Sequence, residues 1–116
     1  MLGVTPPELP ERQIASLPQG IMVDLERREI WRGNTRSHLI PTEGLAMRDF
    51  LENRGRVMPF EELVFLIKGD EVTEEEAPEI MRPIINHLRK KLDVFPGMEK
   101  WIKSVRGIGY IFEVGE

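Results

Sequence analysis

The segment from Met81 to Leu92 constrains the fold of this chain more than any other. Its apolar residues recur four, three and four positions apart, the repeat of one helical face: Met81, Ile85, Leu88 and Leu92. A polar stripe follows on another side of the predicted helix: Arg82, Asn86, Arg89 and Lys90. One face therefore anchors the helix in a core, and the other presents basic side chains to a partner or to solvent.

The sequence leaves the start of this helix open. Thr73 and Glu76 have the spacing of a capping box, yet Pro78 follows closely. Pro83 lies inside the helical pattern, where it either kinks the helix or marks a later start. The reason is that an internal proline removes one backbone hydrogen bond, at a cost of roughly 3 kcal/mol.

A hairpin is predicted near the C-terminal end of the chain. Residues 101–105 form one strand, residues 106–109 the turn, and residues 110–114 the return strand. Gly107 and Gly109 allow the positive φ that a tight turn needs. Three aromatic residues of this region are expected in the core: Trp101, Tyr110 and Phe112.

Short alternating segments upstream predict an antiparallel meander with strands at residues 21–24, 29–32 and 36–40. A first helix is predicted from Pro41 to about Asn53. Thr42 is expected to cap its first turn, and Gly55 fits the position just past its end.

A second helix is predicted from Phe60 to about Ile67. Its core-facing residues are expected to be Leu63, Val64, Leu66 and Ile67. Phe65 has no obvious place on that face. It either packs against the core or forms an apolar patch that faces a partner.

The length of 116 residues fits one small domain. Residues 1–18 hold four of the nine prolines, so we predict a linker or flexible arm there and a folded domain over residues 19–116. The absence of cysteine excludes disulfides and thiolate zinc sites. The sequence shows no nucleophile–base arrangement, phosphate loop or membrane-length apolar run. We therefore predict no enzyme, cofactor, metal site or membrane span, and take the cytoplasm as the default location.

The net charge of −4 hides a division along the chain. Residues 61–79 hold eight acidic residues against one lysine, whereas residues 86–106 hold six basic residues against two acidic ones. A basic segment is what a phosphate backbone needs, whatever the total charge. The alternative is that both runs are merely solvated surface.

These segments together resemble the effector domains of OmpR/PhoB-type response regulators over roughly residues 20–114. The matching pieces stand in the family's order and spacing: Leu39-Ile40-Pro41-Thr42-Glu43, Gly55-Arg56-Val57, Glu61-Glu62-Leu63, Leu88-Arg89-Lys90-Lys91-Leu92 and Ser104-Val105-Arg106-Gly107-Ile108-Gly109-Tyr110. The resemblance implies an α+β fold, a winged helix-turn-helix with an N-terminal antiparallel sheet, three helices and a C-terminal β-hairpin wing. It also implies a transcription regulator that binds promoter DNA, with its third helix in the major groove and its wing on the backbone.

The resemblance and the side-chain chemistry assign DNA contacts to eight residues: Arg82, Asn86, His87, Arg89, Lys90, Lys103, Ser104 and Arg106. Asparagine pairs with adenine and arginine with guanine, while lysine and serine hold phosphates. Four positions depart from the family in or near the third helix: Glu79, Pro83, Ile84 and His87. Each of these residues removes a DNA contact or bends the helix. The sequence therefore also agrees with DNA binding that is weak, that depends on a homodimer, or that is lost.

In this family the loop between the second and third helices tends to contact RNA polymerase. Here the corresponding stretch is acidic: Asp70, Glu71, Glu74, Glu75 and Glu76. The alternative function is therefore a winged-helix protein-interaction module with weak or lost DNA binding. Such a module would contact a partner, for example an RNA polymerase subunit, through this loop.

Overall fold

The computed structural model describes residues 14–115. A four-stranded antiparallel sheet forms the N-terminal part of the described fold. Its strands follow one another in sequence order: β1 (Ile14–Leu17), β2 (Ile21–Asp24), β3 (Glu29–Arg32) and β4 (Thr35–His38). Val23 lies opposite Ile30, and Ile30 opposite Ser37, so one face of the sheet carries the buried side chains. The predicted meander is confirmed, with its last strand beginning one residue early and ending at His38.

Strand β1 was not predicted, because it falls inside the segment interpreted as a linker. Residues 14–17 pair with β2 across a 3-10 turn (Pro18–Gly20), and Leu17 is buried. The linker prediction for residues 1–18 is therefore wrong for residues 14–17, and the folded domain begins before residue 19. The rest of that segment, residues 1–13, lies outside the described residues.

Three helices follow, as predicted: α1 (Pro41–Glu52), α2 (Phe60–Lys68) and α3 (Glu76–Leu92). The cap of α1 differs from the prediction. The backbone N–H of Ile40 donates to Glu43 Oε1 at 2.9 Å, whereas Thr42 makes no capping hydrogen bond. Glu43 reaches back because it stands three residues after the helix boundary, the geometry of a capping-box carboxylate.

Helix α2 buries Leu63, Val64 and Ile67 as predicted. The prediction for Leu66 is wrong, since this residue is 44% exposed. At 100° per residue, Leu66 lies about a third of a turn from the centre of the buried face. Phe65 is 51% exposed, so it is not a core residue, whereas partly buried packing agrees with this exposure.

Helix α3 begins with the predicted capping box. Glu76 N–H donates to Thr73 Oγ1 at 3.2 Å, and Thr73 N–H donates to Glu76 Oε1 at 3.2 Å. The helix continues through Pro83, which rules out a later start. All four residues of the predicted apolar stripe are fully buried: Met81, Ile85, Leu88 and Leu92.

A second, three-stranded antiparallel sheet completes the domain, with the last strand of the chain between the other two. The hairpin is confirmed as β6 (Ile102–Val105) and β7 (Gly109–Phe112), preceded by a 3-10 turn (Met98–Trp101); we call β6, β7 and their connecting turn the wing. The additional strand, β5 (Val57–Pro59), was not predicted because three residues carry too little pattern. Trp101, Tyr110 and Phe112 are buried, as expected.

The two glycines of the wing have different roles, contrary to the prediction of a shared turn. Gly107 adopts a φ of +75° in the turn. Gly109 lies in β7, where a Cβ atom would overlap the carbonyl oxygen of Met58 in β5. Glycine is needed there for close backbone approach rather than for positive φ. Among residues 14–115, no helix is both long and apolar enough to cross a membrane.

Candidate nucleic-acid interface

The outer face of α3 carries three of the four residues of the predicted polar stripe. Asn86, His87 and Lys90 are exposed along the side opposite the buried stripe. Arg82 is exposed on the same side, one turn before Asn86. Because the buried stripe fixes the rotation of the helix, these four side chains are held in solvent rather than at a packing interface.

Glu79 lies close to Arg82 on this face. Its Oε1 is 3.9 Å from Arg82 Nη1, and both side chains are largely exposed, so the pair is a loose surface contact. The guanidinium of Arg82 therefore keeps most of its hydrogen-bond donors free.

Arg89 occupies a different position from the one predicted by its place in the polar stripe. It is half-buried, and its Nη2 and Nε donate to the Ile102 carbonyl oxygen in β6 at 2.7 and 3.2 Å. Its Nη2 also lies 3.3 Å from Ser104 Oγ. Two of the eight predicted DNA-contacting residues therefore contact each other and join α3 to the wing.

The ring of Tyr110 in β7 completes this junction. The Arg89 guanidinium carbon lies 5.7 Å from the centre of the ring, a cation–π distance. Burial raises the pKa of the Tyr110 hydroxyl above its ordinary value of 10.0, although the positive charges of Arg89 and Arg82 oppose the change. The Tyr110 hydroxyl beside Arg89 is therefore neutral at physiological pH.

Lys91 is also turned inward, away from the outer face. Its Nζ donates to the His38 carbonyl oxygen at 2.7 Å and to Glu43 Oε1 at 3.1 Å. Glu43 is buried, so this pair connects the end of α3 to both β4 and the first turn of α1. Lys91 stabilises the fold, and its neighbour Lys90 remains outside.

The wing carries three of the predicted residues, of which Ser104 also takes part in the junction with α3. Lys103 in β6 pairs across the strands with Glu113, with Nζ and Oε1 3.3 Å apart, and Ser104 is exposed beside it. Arg106 is exposed in the turn. Within the described part of the chain, neither Arg106 nor Lys90 takes part in an ion pair, so these two cations are open to a phosphate.

The acidic loop between α2 and α3 forms a separate surface. All five acidic residues are exposed, and Glu76 is in addition hydrogen-bonded to Thr73 in the capping box. An open groove of about 420 Å³ lies beside the loop, lined by Glu61, Glu62, Phe65, Glu71 and Val72. The prediction did not include Glu61 and Glu62, although the acidic run that begins at residue 61 is a signal for them.

One charge of this groove is already neutralised. Arg56, which directly precedes β5, forms a bidentate ion pair with Glu62 in the first turn of α2. The hydrogen bond from Arg56 lowers the pKa of the Glu62 carboxyl below its ordinary range. Over residues 14–115, no cluster of three or more His, Asp or Glu side chains is arranged to hold a metal ion.

Comparison with known proteins shows that the chain is similar to transcriptional regulatory proteins. Residues 34–112 match the family model described as transcriptional regulatory protein, C terminal. The chain is 33% identical over 92 residues to the KDP operon transcriptional regulatory protein KdpE of Escherichia coli. This match covers 79% of the chain and 40% of KdpE. The chain is also 33% identical over 94 residues to the regulatory protein VanR of Enterococcus faecium. This match covers 81% of the chain and 40% of VanR. The chain thus spans about two fifths of the length of these relatives.

The fold agrees with a solved structure as well. The DNA-binding domain of RstA from Klebsiella pneumoniae, solved in complex with the RstA box, has a TM-score of 0.71 and 22% sequence identity to this chain. The match covers 87% of this chain and 97% of that domain. The likeness establishes the winged-helix architecture described above.

Proposed function

Because the chain belongs to the OmpR/PhoB-type family of transcriptional regulatory proteins, as their C-terminal domain, we propose that it regulates transcription by binding promoter DNA. Helix α3 enters the major groove, and the wing lies on the phosphate backbone. Since the proposed target is chromosomal DNA, we also propose a cytoplasmic location for the chain.

One observation carries this proposal: α3 exposes a polar face along its length, directly opposite a fully buried apolar stripe. Its 17 residues span about 26 Å at 1.5 Å per residue. A major groove about 12 Å wide admits one helix of this kind. Arg89 holds the wing at a fixed position beside that helix, so both elements can meet the same duplex.

The exposed side chains have complementary tasks in this proposal. Asn86 pairs with the N6 and N7 atoms of adenine, and Arg82 with the O6 and N7 atoms of guanine. Lys90 and Arg106 bind phosphates, with Lys103 and Ser104 beside them on the wing and His87 at the edge of the helix face. Because few cations are open to phosphates, one domain binds modestly, and a homodimer on DNA would double the number of contacts.

Selection of duplexes from a random pool tests this proposal and gives the binding site in the same experiment. We expect an enriched sequence that contains adenine and guanine within one major-groove face. Arg106→Ala should weaken binding to it severalfold. The matched control is Arg48→Ala, which removes an exposed arginine from α1, outside α3 and the wing. No enrichment, together with no complex at low salt, would contradict the proposal.

The groove beside the acidic loop favours a second, compatible function. Its carboxylates surround the exposed ring of Phe65, a combination suited to a partner segment with both basic and apolar side chains. We propose that an RNA polymerase subunit binds there. Purified polymerase should bind the wild-type chain but bind Phe65→Ser and Glu71→Ala more weakly, whereas Lys90→Ala should leave this binding unchanged. Equal binding by all four proteins would contradict it.

A further inference from the structure

Glu79 lies in the first turn of α3, on the face that this helix presents to DNA in the proposed complex. It stands four, seven and eleven residues before Pro83, Asn86 and Lys90, so all four share one side of the helix. Its side chain is 76% exposed, and its one ion pair within residues 14–115 is the loose contact with Arg82. Glu79 therefore faces the duplex directly when Asn86 does.

The surface around Glu79 offers several hydrogen-bond acceptors, and the neighbouring side-chain donor is the guanidinium of Arg82. In a helix, the carbonyl oxygen of Glu79 would accept from the backbone N–H four residues later, but that residue is Pro83, which has no N–H. The carboxylate adds further acceptor sites, and at 3.9 Å Arg82 does not satisfy them. The negative charge of the carboxylate repels a phosphate at this point of the face, so its acceptors suit a neutral donor group instead.

DNA provides one kind of partner for such a surface. In the major groove, the exocyclic amino groups of cytosine N4 and adenine N6 are the available donors, and a carboxylate accepts readily from cytosine. A carboxylate brought against any other group would lose water without gaining a hydrogen bond. Glu79 thus favours a base that presents an amino group, cytosine above all, and penalises guanine and thymine.

We propose that Glu79 is a specificity-determining residue whose carboxylate accepts a hydrogen bond from the N4 amino group of a cytosine. The inference rests on the proposed DNA binding and names a base within its target. Seven residues separate Glu79 from Asn86, about 10 Å along the helix. With base pairs 3.4 Å apart, the cytosine lies about three base pairs from the base read by Asn86.

The test measures dissociation constants for the selected duplex and for duplexes in which each base pair is replaced in turn. The proteins are the wild-type chain, Glu79→Ala, Arg82→Ala and Glu71→Ala. Glu71→Ala is the matched control, since it removes an exposed carboxylate from the loop rather than from α3. Glu79 is exposed and alanine favours helices, so the variant retains the fold.

We expect Glu79→Ala to lose about ten- to one-hundred-fold discrimination at one cytosine, while Glu71→Ala keeps it. Binding by Glu79→Ala that becomes uniformly tighter, with the same discrimination at every position, would overturn the inference alone. Loss at the same position in Glu79→Ala and Arg82→Ala would also overturn it, because Glu79 would then only orient Arg82. Absence of binding by the wild-type chain would overturn the proposed function and this inference together.

Discussion

Arg89 of α3 donates two hydrogen bonds to the carbonyl oxygen of Ile102 in β6, at 2.7 and 3.2 Å. The contact joins the helix proposed to enter the groove to the hairpin proposed to lie on the backbone. Since both elements meet one duplex in the proposed complex, we propose that Arg89 acts by positioning the wing. The sequence makes Arg89 a candidate DNA contact, and the structure shows that its guanidinium joins α3 to the wing.

Arg89→Ala is predicted to lower stability as well as DNA affinity. The substitution removes both donors to the Ile102 carbonyl, which we expect to cost about 1 to 2 kcal/mol in the free energy of unfolding. Urea denaturation measures this cost. The matched control is Lys90→Ala, whose exposed side chain makes no internal ion pair in the described region, so its stability should stay within about 0.5 kcal/mol of wild type. Equal stability of the two variants would show that the Arg89 contact contributes nothing.

Gly109→Ala should be far more damaging than Gly107→Ala. A methyl group at residue 109 overlaps the Met58 carbonyl oxygen, so β5 and β7 would have to separate, at an expected cost above about 3 kcal/mol. At residue 107 a Cβ atom meets open space, and only the φ of +75° is unfavourable, at about 1 to 2 kcal/mol. Thermal denaturation of the two variants gives the comparison. A smaller loss for Gly109→Ala would be incompatible with the close approach of β5 and β7.

Lys91→Met is predicted to destabilise the domain through Glu43. The Glu43 side chain is 4% exposed and would lose its cationic partner while keeping the hydrogen bond from Ile40 N–H. We expect a loss of about 1 to 2 kcal/mol, since Lys91 is itself partly exposed to solvent. In chemical denaturation, the double variant Lys91→Met with Glu43→Gln should lose less than the sum of the single losses. Strict additivity would mean that the two side chains do not interact.

Asp49 of α1 makes stability depend on pH. It is 8% exposed, and within the described structure its Oδ2 accepts no hydrogen bond. Burial, assisted by the negative charges of Glu52 and Glu62 and opposed by Arg48, raises its pKa from 3.8 to about 6. The folded protein therefore binds this proton more tightly than the unfolded chain. The contribution is fully present below about pH 4 and is lost as the pH rises through about 6.

Asp49→Asn removes this titration, because asparagine stays neutral at every pH. Relative to the wild type, we expect the variant to gain about 1 to 3 kcal/mol between about pH 4 and pH 7, measured by urea denaturation across that range. Asp70→Asn, an exposed carboxylate of the loop, is the control and should show no such gain. Parallel pH profiles for the wild type and Asp49→Asn would refute the assignment.

The sequence predicts those elements whose apolar residues repeat over several turns. The stripe from Met81 to Leu92 establishes α3 and its rotation, because four buried residues determine which side faces solvent. Alternation and glycine punctuation likewise predict β2, β3 and β4 of the first sheet and the two strands of the wing. The order of these pieces was enough to identify the family.

Contacts between distant segments could not be predicted from the sequence. Strand β5 consists of three residues, and only its pairing with β7 defines it. Arg89 and Lys91 belong to one basic run with Lys90, yet packing turns the first to the wing and the second to Glu43. A run of like charges gives no indication of which member will find an internal partner.

The salt dependence of DNA binding tests the proposed interface most directly. The dissociation constant of the selected duplex is measured at several salt concentrations for wild type, Lys90→Ala, Arg106→Ala and the control Arg48→Ala. Each phosphate contact contributes about 0.9 to the slope of log affinity against log salt. We predict that Lys90→Ala and Arg106→Ala each reduce the slope by about this amount, and that Arg48→Ala leaves it unchanged. An unchanged slope in both interface variants, or no complex at the lowest salt, would contradict DNA binding through α3 and the wing.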